Sequence, residues 1–290
     1  KGYNANYIKT ENALLIINKI NNILKDKYPN FELYNNSDFR NTLIVRNSSI
    51  KPKNLVCIEP HENIGVQLDP LSLIKTIDGN TSEDIQQLNN YLNEIAALIK
   101  NDDANIIIPW SASTALSLPE FKYGLNSKNA IIGHMDFLKG IAIASNMDFF
   151  LEGNGSWDTD YSAKAERLIS LLEKDYGFVY CHINGPDEAS HAGKSKEKIE
   201  SIESIDSIIV EKVKSYFLSN PEQLGRLIIT TDHYTNLIAI ESKRHEAHSL
   251  HPVPFLVWNN NEHDNVNKFS EKDCKGGKYG DIPINHLSLL

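Results

Sequence analysis

The sequence has few cysteines, no long apolar run and fewer basic than acidic side chains. Its three cysteines, Cys57, Cys181 and Cys274, are widely spaced and form no Cys-x-x-Cys pair, which argues against a disulfide framework or a thiolate zinc site. No apolar run reaches the roughly 18–20 residues of a membrane-spanning helix. The formal charge of -9 argues against an extended nucleic-acid surface, because phosphate contacts require clustered lysine and arginine. We therefore expect a soluble, cytoplasmic protein that binds neither membranes nor nucleic acid.

The sequence contains enough hydrophobic residues to form a core, and they are arranged in short runs. The 290 residues are 41% hydrophobic, which suits one large domain or a core with a smaller insertion. Continuous apolar runs alternate with segments of helical period, and this order predicts an α/β fold with a mostly parallel sheet between helix layers. The five predicted strands lie in residues 105–110, 129–135, 178–184, 226–233 and 253–260.

Helical periodicity is clearest in two segments. The isoleucines and leucines of residues 85–99 recur at helical spacing, as do the apolar residues from Ile199 to Phe217. The first 80 residues differ, with one helix followed by two short strand-like runs around a polar turn. We interpret residues 1–80 as part of a smaller inserted α/β domain, and residues 81–290 as part of the main core.

Potential metal ligands adjoin three of the predicted strands. "FVYCHINGPDEASH" supplies Asp187 and His191, "LIITTDH" supplies Asp232 and His233, and "EAHSLHPVPFLVW" places His248 before the last strand. Ligand sites of parallel sheets lie beyond the carboxyl ends of the strands, so these side chains are expected at one edge. The sequence therefore predicts a metal site there.

The spacing of Asp187 and His191 suits a shared ion. Residues four apart on a helix lie on the same face, with Cβ atoms about 5–6 Å apart. Carboxylate with imidazole is a ligand set that suits manganese, zinc or iron better than calcium. Single histidines elsewhere, such as His182, are interpreted as structural residues.

Six segments in order resemble a known family. The chain resembles the archaeal-type cofactor-independent phosphoglycerate mutases of the alkaline phosphatase superfamily, on the segments "YGLNSKNAIIGHMDFLKGIAIASNMD", "GNGSWDTDYSAKAE", "FVYCHINGPDEASHAGKSKEKIESIESID", "TTDHYTN", "HSLHPVPFLVW" and "KGGKYGDI". The resemblance implies interconversion of 2- and 3-phosphoglycerate through a phosphoserine intermediate, with two divalent ions, usually manganese or zinc. It also implies that Asp187, His191 and His248 bind one ion, and that Asp232 and His233 bind the other.

The same resemblance suggests substrate contacts. Arg40, His61 and Lys139 match basic positions that hold the anionic substrate in this family, although Arg40 and Lys139 are equally well explained as a surface charge and a helix-capping residue. Phe39 stands where the family usually has histidine, and His251 stands where it tends to have aspartate. These departures leave the metal ligands intact.

Two family elements have no counterpart in this sequence. They are the opening strand that ends in Asp-Gly-Met-Gly and the segment that carries the nucleophilic serine. The catalytic serine is therefore unknown here, and we expect a C-terminal fragment that is inactive alone. Three alternatives stay open: a homoserine kinase-like phosphotransferase, a phosphohydrolase of the same superfamily, and a non-catalytic metal-stabilised module. Metal identity and oligomeric state are not predicted.

Overall fold

The computed structural model describes residues 5–6, 8–60, 63, 73–115, 117–123, 128–237, 248–249, 251–259 and 263–283. The chain divides into two units, residues 1–117 and residues 118–290. Within the described residues, no helix combines the length and apolar character needed to cross a bilayer.

Among its described residues, the first unit contains two α-helices and two short antiparallel strand pairs. β1 pairs with β2, and β3 pairs with β4 after one turn of 3₁₀-helix at Pro52–Asn54. The elements are α1 (Thr10–Leu24), β1 (Phe31–Ser37), β2 (Arg40–Val45), β3 (Leu55–Val56), β4 (Lys75–Thr76) and α2 (Glu83–Leu98).

Helix α2 begins at a well-formed cap and packs its apolar face against α1. The Ser82 hydroxyl accepts a hydrogen bond from the Ile85 amide, which satisfies one of the donors that the first turn leaves unpaired. The buried side chains of α2, from Ile85 to Ile95, form one core with Ile17 and Ile20 of α1. Residues 81–117 therefore belong to the first unit, although the sequence places a boundary near 79–81. Where an inserted domain would end stays a prediction.

The core of the first unit holds a tyrosine whose hydroxyl has no hydrogen-bond partner among the described residues. Tyr91 is 1% exposed, and burial raises its pKa to about 12. A buried hydroxyl without a partner costs about 1–3 kcal/mol. We expect Tyr91→Phe to increase the free energy of unfolding at pH 7 by about 1 kcal/mol, as measured by urea denaturation.

The same substitution should also reduce the loss of stability in alkali. The folded pKa of Tyr91 lies above its unfolded value near 10, so the wild type loses stability as the pH rises from about 10 towards 12. Tyr28→Phe is the matched control, because the Tyr28 hydroxyl donates to Glu94 Oε1 at 2.7 Å and its removal should destabilise the protein. Equal losses in the two variants at pH 7 would contradict this account.

The second unit is built on a three-stranded parallel sheet with the order β6-β5-β7. Its strands are β5 (Lys128–Gly133), β6 (Asp148–Leu151) and β7 (Tyr176–Cys181), joined by α3 (Asp136–Ala144) and α4 (Tyr161–Leu172). Alternate residues of β5 enter two different cores. Ala130 and Ile132 pack with α4, and Ile131 packs with α3. The sheet therefore carries helices on both faces, which confirms the predicted fold class.

The remaining elements of the described residues follow β7. They are α5 (Gly185–His191), α6 (Ser195–Ser204), a π-helical stretch (Ile205–Val210), α7 (Glu211–Ser219), β8 (Leu227–Thr230), β9 (Tyr234–Thr235), β10 (His248–Ser249), β11 (Phe255–Trp258) and α8 (Glu271–Cys274). β8 pairs with β11 and β9 pairs with β10, both antiparallel.

Three details of the strand prediction are wrong. Residues 105–110 form no strand, and Ile106 and Ile107 pack instead against the core of the first unit. β8 and β11 are strands, but they pair with each other in antiparallel fashion. Strand β6 is absent from the prediction, because it begins with the charged Asp148 and contains only three apolar residues in a row. Apolar content signals burial, but it carries no information on strand direction.

The long helical pattern after α5 also differs from the prediction. Ile199 and Ile202 are 57% and 50% exposed, whereas Ile209, Val213 and Phe217 are buried. From Ile205 to Phe217 the apolar residues recur at intervals of four, which in a regular α-helix rotates each one by about 40° from the last. The π-helical stretch contains more residues in each turn, and it offsets part of this rotation.

Candidate metal centre

Helix α5 starts immediately after β7 and presents two of the predicted ligands on one face. Pro186 occupies the first turn, where a missing amide hydrogen costs nothing. Asp187 lies in the same turn, and His191 ends the helix four residues later. The short β7–α5 connection therefore brings both side chains to the carboxyl edge of the parallel sheet.

Asp187, His191 and His248 converge on one point. Their donor atoms all lie within 4.8 Å of one another, and all three residues are partly buried. His191 Nε2 lies 3.1 Å from His248 Nε2, and Asp187 Oδ1 lies 3.4 Å and 3.9 Å from these two nitrogens. Tetrahedral zinc with bonds of about 2.0–2.1 Å separates its donor atoms by about 3.3 Å. The donor set and its spacing therefore fit one divalent ion.

Asp232 and His233 lie beside this cluster, in the turn between β8 and β9. The rings of His233 and His248 are 4.1 Å apart between centroids. His233 Nε2 lies 3.6 Å from Asp232 Oδ2, so the second predicted ligand pair also presents neighbouring donor atoms. The structure thus brings all five predicted ligands to one edge of the second unit.

His182, which we interpret from the sequence as a structural residue, follows β7 at the carboxyl edge of the parallel sheet. Its ring is partly buried, and burial lowers its pKa, while the carboxylates of Asp232 and Asp187 act in the opposite direction. The ring of Phe137, in the first turn of α3, lies 6.1 Å from it.

Lys164 supports the edge of the sheet from inside the protein. It is 2% exposed, and its Nζ donates to the carbonyl oxygens of Glu152 at 2.7 Å and His182 at 3.3 Å. Burial lowers the pKa of Lys164. These two carbonyls follow β6 and β7, so one side chain joins the carboxyl ends of both strands next to the ligand-bearing segment.

Helix α5 rests on a tight contact at its first residue. A Cβ atom at Gly185 would lie 2.8 Å from Ser201 Oγ, 2.9 Å from the Tyr161 hydroxyl and 3.0 Å from Trp157 Cα. The Tyr161 hydroxyl is itself held by the Trp157 carbonyl at 2.8 Å and by Ser201 Oγ at 2.5 Å. Glycine at this position lets the helix carrying Asp187 and His191 approach α4 and α6 closely.

The predicted substrate residues are placed in different parts of the chain. Lys139 is exposed in the first half of α3, which begins at the same edge of the sheet. Arg40 opens β2 in the first unit, with its guanidinium 4.5 Å from the Phe39 ring centroid. His61 lies outside the described residues. Their roles in substrate binding stay predictions.

Comparison with known proteins supports the metal-binding assignment. Residues 21–290 match the family model described as "Metalloenzyme superfamily". The 2,3-bisphosphoglycerate-independent phosphoglycerate mutase of Methanosarcina mazei is 27% identical over 99% of this chain and 72% of its own length. The enzyme of the same name from Methanothrix thermoacetophila is 29% identical over 99% of this chain and 71% of its own.

A third relative of the same name, from Saccharolobus islandicus, is 35% identical over 60% of this chain and 40% of its own length. These names confirm the resemblance to archaeal cofactor-independent phosphoglycerate mutases that the motifs indicate. The family match extends over most of the sequence and includes the whole second unit, in which Asp187, His191 and His248 converge. The chain therefore belongs to the Metalloenzyme superfamily.

Proposed function

We propose that this chain contains the metal-binding part of a phosphoglycerate mutase that interconverts 2- and 3-phosphoglycerate without a bisphosphoglycerate cofactor. The observation that carries the proposal is the convergence of Asp187, His191 and His248 at the carboxyl edge of the parallel sheet. The names of the relatives, aligned over nearly the whole chain, indicate the substrate.

In this proposal the five ligands form two sets. Asp187, His191 and His248 hold one divalent ion, and Asp232 and His233 contribute to the other; manganese and zinc suit these carboxylate and imidazole donors. Such ions neutralise phosphoryl oxygens and make a coordinated hydroxyl more acidic. We further propose that Lys139, which is exposed in α3, binds the anionic substrate, whereas the substrate roles of Arg40 and His61 stay predictions.

The surrounding structure limits the motion of the proposed ligand side chains. Asp187 and His191 are fixed on one short helix, and Lys164 ties the strand ends from which the helix departs. Histidine rings packed within 4.1–5.1 Å of one another restrict each other's rotation. The ligands are therefore oriented before any ion arrives, which reduces the ordering cost of metal binding.

The test is an isomerisation assay of the gene product that includes this sequence. With 3-phosphoglycerate and Mn²⁺, ³¹P NMR should show the appearance of 2-phosphoglycerate, and a chelator should stop the reaction until Mn²⁺ is restored. The same preparation is tested with homoserine and ATP, and with a simple phosphate ester. Turnover of either of those substrates without isomerisation would contradict the proposal and favour a different phosphotransferase or a hydrolase.

A further inference from the structure

We propose that Thr235 positions ligands of both ions, because its hydroxyl orients the Asp187 carboxylate and holds the His233 ring with its hydrogen on Nδ1. This inference rests on the proposed metal-binding function. It assigns to an uncharged residue a role in joining the two ligand sets.

Thr235 lies between the two sets of ligands. It is 7% exposed in β9, and its register partner across the β9–β10 pair is His248. Its Oγ1 donates a hydrogen bond to Asp187 Oδ1, the same oxygen that faces the His191 and His248 rings. The same Oγ1 lies 3.3 Å from His233 Nδ1. One buried hydroxyl therefore contacts a ligand of each proposed ion.

Because the Thr235 hydroxyl has one hydrogen, it can donate only one of its two hydrogen bonds, to Asp187 or to His233. A threonine hydroxyl has a single hydrogen, and an ionised carboxylate can only accept. Once that hydrogen points to Asp187, the Thr235 oxygen can only accept from His233, so Nδ1 of the neutral ring must carry the ring hydrogen. The lone pair then lies on His233 Nε2.

The other ring nitrogen of His233 lies beside the second predicted ligand of the same ion. His233 Nε2 is the atom that lies 3.6 Å from Asp232 Oδ2, the other predicted ligand of that ion. Imidazole ligands commonly donate the hydrogen of their other nitrogen to an outer partner, which fixes the ring. Thr235 supplies that acceptor for His233 and, through the same atom, a donor for Asp187.

The backbone of Thr235 is also held in place. Lys198 Nζ donates to the Thr235 carbonyl oxygen at 3.0 Å, which ties β9 to α6. Lys198 is partly buried, and burial lowers its pKa while the Asp187 charge raises it. The carbonyl contact does not depend on the Thr235 side chain, so removing the hydroxyl should leave the strand in position.

The first experiment reads the tautomer without any metal. At about pH 8.5, above the usual titration range of imidazole, long-range ¹H–¹⁵N correlation spectra of the histidine-labelled protein distinguish the two nitrogens of each ring. We expect His233 to carry its hydrogen on Nδ1 in the wild type and in Thr235→Ser. In Thr235→Val we expect the signal to shift towards the Nε2-protonated form. His233→Gln assigns the resonance.

The second experiment measures ion binding by calorimetric titration with Mn²⁺ and with Zn²⁺. Thr235→Val should weaken binding about 10–100-fold, the range seen when an outer partner of a ligand is lost. Thr235→Ser should remain within a few-fold of the wild type. Thr230→Val is the control, because the Thr230 hydroxyl lies within hydrogen-bond distance of the Thr231 and Pro254 carbonyl oxygens rather than of a proposed ligand. Thr235→Ala replaces the valine variant if the latter fails to fold.

The outcomes separate this inference from the proposed function. Unchanged tautomer and unchanged affinity in Thr235→Val would overturn the inference, and so would a serine variant as impaired as the valine variant. If the wild type binds neither ion, the metal-binding proposal fails. The tautomer spectra then decide the role of Thr235 alone, and an unchanged His233 signal in Thr235→Val rejects it.

Discussion

Replacing His191 by alanine is expected to lower the affinity for Mn²⁺ more than about 100-fold, the upper end for losing only an outer partner of a ligand. His191 supplies one of three converging donor atoms, and its nitrogen lies within 3.1–3.4 Å of the other two. Without it, Asp187 and His248 remain, and two donors rarely hold a divalent ion against water. Calorimetric titration measures the loss directly.

Thermal unfolding gives a second reading of the same variant. An ion that binds only the folded state raises the melting temperature as its concentration rises. We expect Mn²⁺ to raise it for the wild type and to have little effect on His191→Ala, with similar values for both proteins without metal. His251→Ala is the control, because His251 is exposed and follows the proposed ligand His248 by three residues without belonging to the proposed ligand set. Similar losses of affinity in both variants would contradict the assignment of His191 as a ligand.

Gly185→Ala is expected to destabilise the protein by about 2 kcal/mol and to weaken metal binding as well. The added methyl group would lie within 3.0 Å of the Tyr161 hydroxyl, Ser201 Oγ and the Trp157 backbone. Because Tyr161 and Ser201 are fixed by their mutual hydrogen bond, the simplest relief is displacement of α5 itself. Asp187 and His191 would move with it.

Gly140→Ala is the matched control for this prediction. Gly140 lies within α3, and a Cβ atom there would meet nothing within 4 Å. Alanine in place of glycine in a helix interior stabilises by about 0.5–1 kcal/mol, so the two variants should change stability in opposite directions. Urea denaturation gives both values. A Gly185→Ala protein as stable as the wild type would show that α5 is not seated as tightly as described.

The parts of the fold that the sequence predicts are those where local pattern and burial agree. Residues 130–133, Ala-Ile-Ile-Gly, are apolar without interruption, and they are buried in the central strand of the parallel sheet. The equally apolar residues 105–110 form no strand, because burial against the helices of the first unit satisfies them as well. The antiparallel pairing of β8 with β11 depends on the path of the chain between the two strands, and the apolar pattern does not encode that path.

The convergence of the candidate metal ligands was predictable for a different reason. Asp187 and His191 are four residues apart after a strand, and this spacing gives a testable geometry on its own. The role of Thr235 depends on a contact with Asp187, 48 residues away, and threonine is common in strands. Lys164 looks like a surface residue of an amphipathic helix, and only its burial reveals its role.

The number of residues in the π-helical stretch between α6 and α7 determines how the helices on its two sides are rotated relative to each other, and the candidate metal centre depends on this rotation. Upstream of it, Ser201 contacts Tyr161 beneath α5; downstream of it, Val213 and Phe217 enter the core beside the parallel sheet. Removing one residue from this stretch would rotate one side of the helix by about 100° relative to the other. Either the core packing of Val213 and Phe217 or the Ser201–Tyr161 contact that supports α5 would then be lost. A deletion here should therefore affect ion binding even though no ligand is removed.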